Sequence, residues 1–114
     1  MQLDSELLDD DILKITLHGR LDLEGTLAID LKFTALTAVK HRAILVDMGA
    51  VSFLASIGIR TLLTSAKVAS RRGGQLVLVN PQPMVRDVLD RSGVSSLIAV
   101  YPDLGTALEA VGAS

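Results

Sequence analysis

The chain has no cysteine and no tryptophan, and only one tyrosine, two phenylalanines and three prolines in 114 residues. Without cysteine there is neither a disulfide scaffold nor thiolate ligation of zinc, which fits a reducing compartment. A net charge of -2 supplies no basic footprint, so nucleic acid is not an expected partner. No apolar run approaches the ~20 residues that a membrane-spanning helix needs. Asp4, Glu6 and Asp9 to Asp11 make the N-terminus unlike a signal peptide. A cytoplasmic location is therefore expected. There is no internal repeat, linker or low-complexity tail. The 49% hydrophobic content is ample for a core. One domain over residues 1–114, burying roughly two-thirds of its surface on folding, is the expectation.

The central stretch, residues 43–74, is the most informative part. Ile44-Leu45-Val46 reads as a buried strand, and Gly49 as part of a turn region before Val51-Ser52-Phe53-Leu54. A helix should begin near Ser56, whose hydroxyl suits an N-cap. Arg71 and Arg72 fall in its last turn, where the helix dipole favours cations, and Gly73 supplies the left-handed residue that ends it. A helical wheel turns Ile59, Leu62, Leu63, Ala66 and Ala69 toward a sheet. Ile57, Thr61, Thr64 and Val68 point the other way, bordered along one edge by Arg60, Lys67 and Arg71. That outer stripe is either a docking surface or an ordinary solvated face.

On the N-terminal side, Leu3, Ser5 and Leu7 alternate with Asp4 and Glu6, predicting a strand with one wet face. Asp9 to Asp11 read as a solvated turn. Leu13, Ile15 and Leu17 alternate with Lys14, Thr16 and His18 as an antiparallel partner. Gly19 to Asp22 should be a loop into a helix over about Leu23 to Lys40, with Asp22 or Glu24 near its positive end. This helix is apolar on two sides, one carrying Ile29, Phe33 and Leu36 and the other Leu27, Leu31, Ala35 and Ala38. One side must be core. The other is covered by a neighbour or open to a partner.

On the C-terminal side, Leu76 to Val79 predict a parallel strand covered on both faces. Met84, Val85, Val88 and Leu89 form the apolar side of a short helix stopped by Gly93. Leu97 to Val100 read as the last strand, and Pro102-Asp103 as the start of a helix carrying Leu104, Leu108 and Val111. Strand and helix alternate from Leu13 onward, which argues for an α/β sandwich with a mostly parallel sheet.

Catalytic and metal-binding patterns do not emerge. Ser56 as a nucleophile with His18 and Asp22 would lack the Gly-x-Ser-x-Gly elbow, because Leu54 stands two residues before it. Gly73-Gly74 follows a helix instead of preceding one, so it is a helix stop and not a phosphate loop. His18 and His41, 23 positions apart, have no accompanying ligand pattern. The reading is a small α/β domain that is not an enzyme and needs neither metal nor cofactor.

Val51-Ser52-Phe53-Leu54-Ala55-Ser56-Ile57-Gly58-Ile59 resembles the signature of the STAS-domain family, and of its small stand-alone anti-sigma-factor antagonists in particular. Gly19-Arg20-Leu21-Asp22 is similar to that family's Gly-x-Leu-Asp, and Pro83-Met84-Val85 through Leu89, Ser92 and Gly93 extend the likeness along the chain. Ala55 and Ile57 stand where the family has Asp and Ser or Thr. The resemblance implies a STAS-like sandwich of about five strands, the first two antiparallel, and about four helices. It also implies a partner-switching role. The unmodified chain would bind an anti-sigma factor that is itself a serine kinase. That kinase would use ATP to phosphorylate Ser56, and a serine phosphatase would reverse the change. Asp22, Ile57, Gly58, Arg60, Thr61, Thr64, Lys67 and Arg71 are the expected partner-binding residues. The alternative within the family is a structural subunit of a larger assembly, stressosome-like or lipid-transporting, in which Ser56 only caps a helix.

Overall fold

Alternation at the N-terminus produces the expected antiparallel pair. The structure, a computed structural model, describes residues 1–8 and 11–112. Strand β1 (Gln2–Leu8) lies against β2 (Ile12–Leu21) with Leu3 opposite Leu17 and Leu7 opposite Leu13. Asp9 and Asp10 of the expected turn lie outside the described residues, and Asp11 takes the left-handed conformation at φ 62°. β2 is longer than expected. Gly19 to Leu21 continue the strand instead of forming a loop, and only Asp22 separates it from helix α1 (Leu23–Ala38).

The remaining strands run parallel to β2. They are β3 (Ala43–Leu54), β4 (Leu76–Val79) and β5 (Val100–Tyr101), in the spatial order β1-β2-β3-β4-β5. Helix α2 (Ser56–Arg71) joins β3 to β4. Helix α3 (Pro83–Arg91) and a 3₁₀ turn (Val94–Ser96) join β4 to β5, and α4 (Leu104–Ala110) follows β5. The fold class is thus the expected α/β sandwich with an antiparallel N-terminal pair.

Helices α1, α2 and α3 cover one face of the sheet. Phe33, Leu62 and Leu89 from the three helices join Ile15, Leu17, Ile44, Val46 and Leu78 in the larger core. α4 alone covers the other face, through Ala107 and Val111 against Ile12, Leu45, Val77 and Val79. Beyond its reach that face is polar, with Lys14 and Asp47 4.0 Å apart across β2 and β3.

Besides the Gly19 to Leu21 loop, three further expectations are corrected. Gly49 does not turn the chain: β3 runs unbroken for 12 residues. Its register against β2 slips twice, since Thr16 faces Asp47 but His18 faces Ala50, and Gly19 faces Val51 but Arg20 faces Phe53. Each slip is a bulge, one extra residue that turns the following side chains to the opposite face. The core-facing residues accordingly run Ile44, Val46 and Met48, then Val51, then Leu54. A glycine amid broken alternation looks like a turn, but Gly49 is there because a Cβ would sit 2.6 Å from the Asn80 side chain.

The second correction is Leu97 to Ala99, which are not strand. The 3₁₀ turn after the left-handed Gly93 ends at Ser96, and the Leu97 and Ile98 N–H groups still donate back to the Val94 carbonyl, which leaves Leu97 exposed and buries Ile98. The third is Met84, which is exposed, so Val85 and Leu89 alone anchor α3, with Val88 half-buried.

Candidate functional site

The ends of β2 and β3 lie side by side, Leu21 opposite Leu54, and the Ala55 N–H donates to the Leu21 carbonyl at 2.9 Å. α1 and α2 therefore start from neighbouring points at one end of the sheet. Asp22 and Ser56, expected to open on the same end, are brought there by this pairing. In open α/β sheets this is the end where ligands and partners dock.

The two helix starts differ in charge. Asp22 caps α1, with Oδ1 accepting the Gly25 N–H at 2.8 Å and Oδ2 lying 3.4 Å from Arg20 Nε. These contacts, the Gly25 hydrogen bond foremost, hold its carboxyl below the usual value of 3.8, against partial desolvation. At α2 the cap is Ala55, which offers no side-chain acceptor, and the first turn contains no acidic residue. Ser56 is the first helical residue and not the cap that sequence suggested. Its exposed hydroxyl stands beside N–H groups that no side chain satisfies, at the positive end of a 16-residue helix.

Two glycines allow this closeness. A Cβ on Gly25 would lie 1.9 Å from the Arg20 carbonyl oxygen. One on Gly58 would press Leu21 and Leu54 at 3.0 Å each. Gly58 is buried, so it sets how near α2 comes to the sheet and offers no surface of its own.

The other expected residues spread along α2. Arg60, Thr64, Lys67 and Arg71 are exposed, while Ile57, Thr61 and Val68 are half-buried. The stripe opposite the sheet is narrower than the wheel suggests because α1 packs beside it. Thr37 Oγ1 donates to Ser65 Oγ at 3.0 Å between the helices, and Thr61 and Thr64 line a recess with Asp30 and Thr34.

Three side chains join the site that sequence reasoning missed. Arg20 stacks over the Phe53 ring, 4.3 Å from its centroid, beside Asp22. Arg91 reaches from the end of α3 to a recess of about 460 Å³ that it shares with Ser56, Ile59 and Ser92. Arg20 was legible as the outward residue of its motif. Phe53 was hidden by the second bulge, and Arg91 arrives by tertiary packing alone.

Nothing here resembles a hydrolytic triad. His18 Nε2 lies 3.2 Å from Asp4 Oδ2, and Asp22 is occupied at its cap. His41 pairs with Asp11 at 2.9 Å, so each histidine meets a carboxylate on its own. Among the described residues no group of three metal-ligating side chains converges, and no helix is long and apolar enough to cross a membrane.

The STAS domain pattern matches residues 7–107. BtrV of Bordetella bronchiseptica, named provisionally as an anti-sigma factor antagonist, is 29% identical over 91 residues, which are 80% of this chain and 78% of BtrV. An anti-sigma factor antagonist from Mycobacterium paratuberculosis has the same fold, with a TM-score of 0.83 and 25% identity over 96% of this chain and 94% of its own. The Bacillus cell fate determinant SpoIIAA, solved in its phosphorylated form, superposes with a TM-score of 0.71 and 22% identity over 96% and 99% of the two chains. By a match that runs from the end of β1 into α4 and takes in both helix starts, the chain belongs to the STAS domain family.

Proposed function

We propose that this chain is an anti-sigma-factor antagonist in a bacterial, cytoplasmic partner-switching circuit, with Ser56 as its phosphorylation switch. The observation that carries the reading is the start of α2: an exposed serine hydroxyl at the first helical position, with no capping side chain and no acidic neighbour in the turn. Such an end is open to a phosphoryl group, which adds about 1.5 to 2 negative charges and three acceptor oxygens. The relatives named as antagonists, and a same-fold protein solved in a phosphorylated form, support the assignment.

In this reading the unmodified chain docks on an anti-sigma factor that is also a serine kinase. Asp22, Ile57, Thr61 and Thr64 lie in the contact, Gly58 brings α2 close, and Arg60, Lys67 and Arg71 form its basic border. The kinase transfers the γ-phosphoryl of ATP to the Ser56 hydroxyl, and a phosphatase hydrolyses the ester. A docked partner would have to strip water from the phosphate, which costs several kcal/mol. A loss of ~2.7 kcal/mol already weakens binding a hundredfold. The experiment is incubation with the cognate kinase and ATP, followed by mapping of the phosphoryl group by mass spectrometry. Modification at Ser56 with release of the kinase is expected. No phosphate on Ser56, or unchanged binding by Ser56→Asp, would return the chain to the structural-subunit role, the reading that Ala55 and Ile57 favour.

A further inference from the structure

The outer side of α1 is left over once the core is assembled. Ile29 and Phe33 are buried, and Thr37 is buried where it meets Ser65 of α2. On the other side Leu23, Leu27 and Leu31 are 62%, 62% and 86% exposed. Spaced by four, they make one ridge along the helix. Beside it runs a second ridge, Glu24, Ala28 and Lys32, also exposed, with an acid at one end, a small residue in the middle and a base at the other. Three adjoining leucines make an apolar patch of a few hundred Å², comparable to the largest patch on a typical monomer, which is often functional. A helix apolar on both sides is ordinarily covered on both. Among the described residues nothing covers this one.

We propose that the cover is the same helix of a second copy, packed antiparallel about a twofold axis near Leu27. The charge pattern selects this occupant. Antiparallel packing sets Leu23 against Leu31 and Leu27 against Leu27, lays Ala28 where the ridges must interlock, and brings Glu24 of each copy alongside Lys32 of the other. Parallel packing would leave the two charged ridges on opposite sides of the seam, with no such pairs. A twofold contact makes each of these pairings twice, so one ridge of mixed charge complements itself. A lipid surface would call for basic flanks on both ends, and this ridge has one acid and one base. A single helix pair covers less than the ~800 Å² per partner of a standard interface, so the dimer is weak and reversible. The inference is independent of the Ser56 switch.

The test is sedimentation equilibrium from about 5 µM to about 500 µM, which brackets a dissociation constant of tens of micromolar. The wild-type chain should rise from the monomer mass toward twice that mass. Leu27→Glu should stay monomeric throughout, and circular dichroism should show it folded, because Leu27 is not in the core. Glu24→Lys should weaken the dimer at least tenfold by facing Lys32 with a like charge. The double variant Glu24→Lys/Lys32→Glu restores the opposed pair and should recover most of the loss. A chain monomeric at every concentration overturns the proposal, as does a dimer that Leu27→Glu leaves intact. A double variant as weak as the single one overturns the antiparallel arrangement. A monomer that instead co-sediments with anionic phospholipid vesicles assigns the ridge to a lipid surface and overturns it too.

Discussion

Ser56→Asp should stabilise the folded domain while weakening partner binding, and the opposition of signs is the point of the experiment. Ser56 is the first residue of α2, Ala55 before it accepts no hydrogen bond through its side chain, and no acid occupies the first turn. The N–H groups of Ser56, Ile57 and Gly58 have no acceptor within the helix. A carboxylate placed among them meets the positive end of the dipole, a gain of about 0.3–1 kcal/mol. For a chain of this length 1 kcal/mol moves the melting temperature by about 3–6 °C, so Ser56→Asp should melt about 1–6 °C above Ser56→Ala. The gain is electrostatic at an exposed position, so salt near 1 M should remove most of it. Thermal unfolding of wild type, Ser56→Ala and Ser56→Asp at low and high salt measures all of this. Ser56→Asp melting at or below Ser56→Ala would refute the argument, and so would a gain that salt does not touch. If the stabilisation is found together with a hundredfold loss of kinase binding, the loss cannot be blamed on unfolding.

Gly25→Ala should be among the most damaging single changes, because its methyl would sit 1.9 Å from the Arg20 carbonyl oxygen and backbone must move. Urea unfolding should show a loss of about 3 kcal/mol or more, and a neutral result would place α1 farther from β2 than described. Asp22 and Asp103 cap α1 and α4, and hydrogen bonds from Gly25 and Thr106 hold both carboxyls below their usual value of 3.8. Their contribution is therefore complete above that value and disappears as pH falls through the lower folded-state values. Stability followed from about pH 5 to about pH 2 should decline, less steeply in Asp22→Asn, which keeps a capping oxygen but cannot titrate. A variant with the full wild-type slope would remove Asp22 from the linkage. Reversing Lys67 and Arg71 to Glu should slow association with the proposed partner kinase more than it alters dissociation, with wild-type association slowing as salt rises. Association indifferent to both changes would make the basic border an ordinary solvated face.

The elements that periodicity can define were legible. Leu13, Ile15 and Leu17 marked β2, the four apolar residues from Leu76 marked β4, and Gly73 marked the end of α2 at φ 85°. What failed was local chemistry overruled by pairing. Gly19 to Leu21 carry a glycine and a charged residue, yet β3 beside them draws them into the sheet. Ser56 is a good cap, but the hydrogen bond from Ala55 N–H to Leu21 ends the strand one residue earlier and shifts the helix start. For the site, Asp22 and Ser56 could be named from their motif and their strand ends. Arg91 could not, because no spacing in a sequence states which helix end closes a recess.

The two bulges in β3 make the direction of α2 a question of parity. One extra residue turns everything after it through half a revolution of the strand, and two restore the original sense. Leu54 ends up on the helix-covered face, as Ile44 does, and Ser56 is delivered to solvent, only because both insertions are present. Loss of either would point Leu54 toward the polar face and carry the start of α2 toward the wrong layer. The serine's exposure is thus inherited from an even number set several residues upstream, in a segment that never touches the hydroxyl. If Ser56 is the switch proposed above, a deletion near Gly49 should silence it as thoroughly as removing the serine itself.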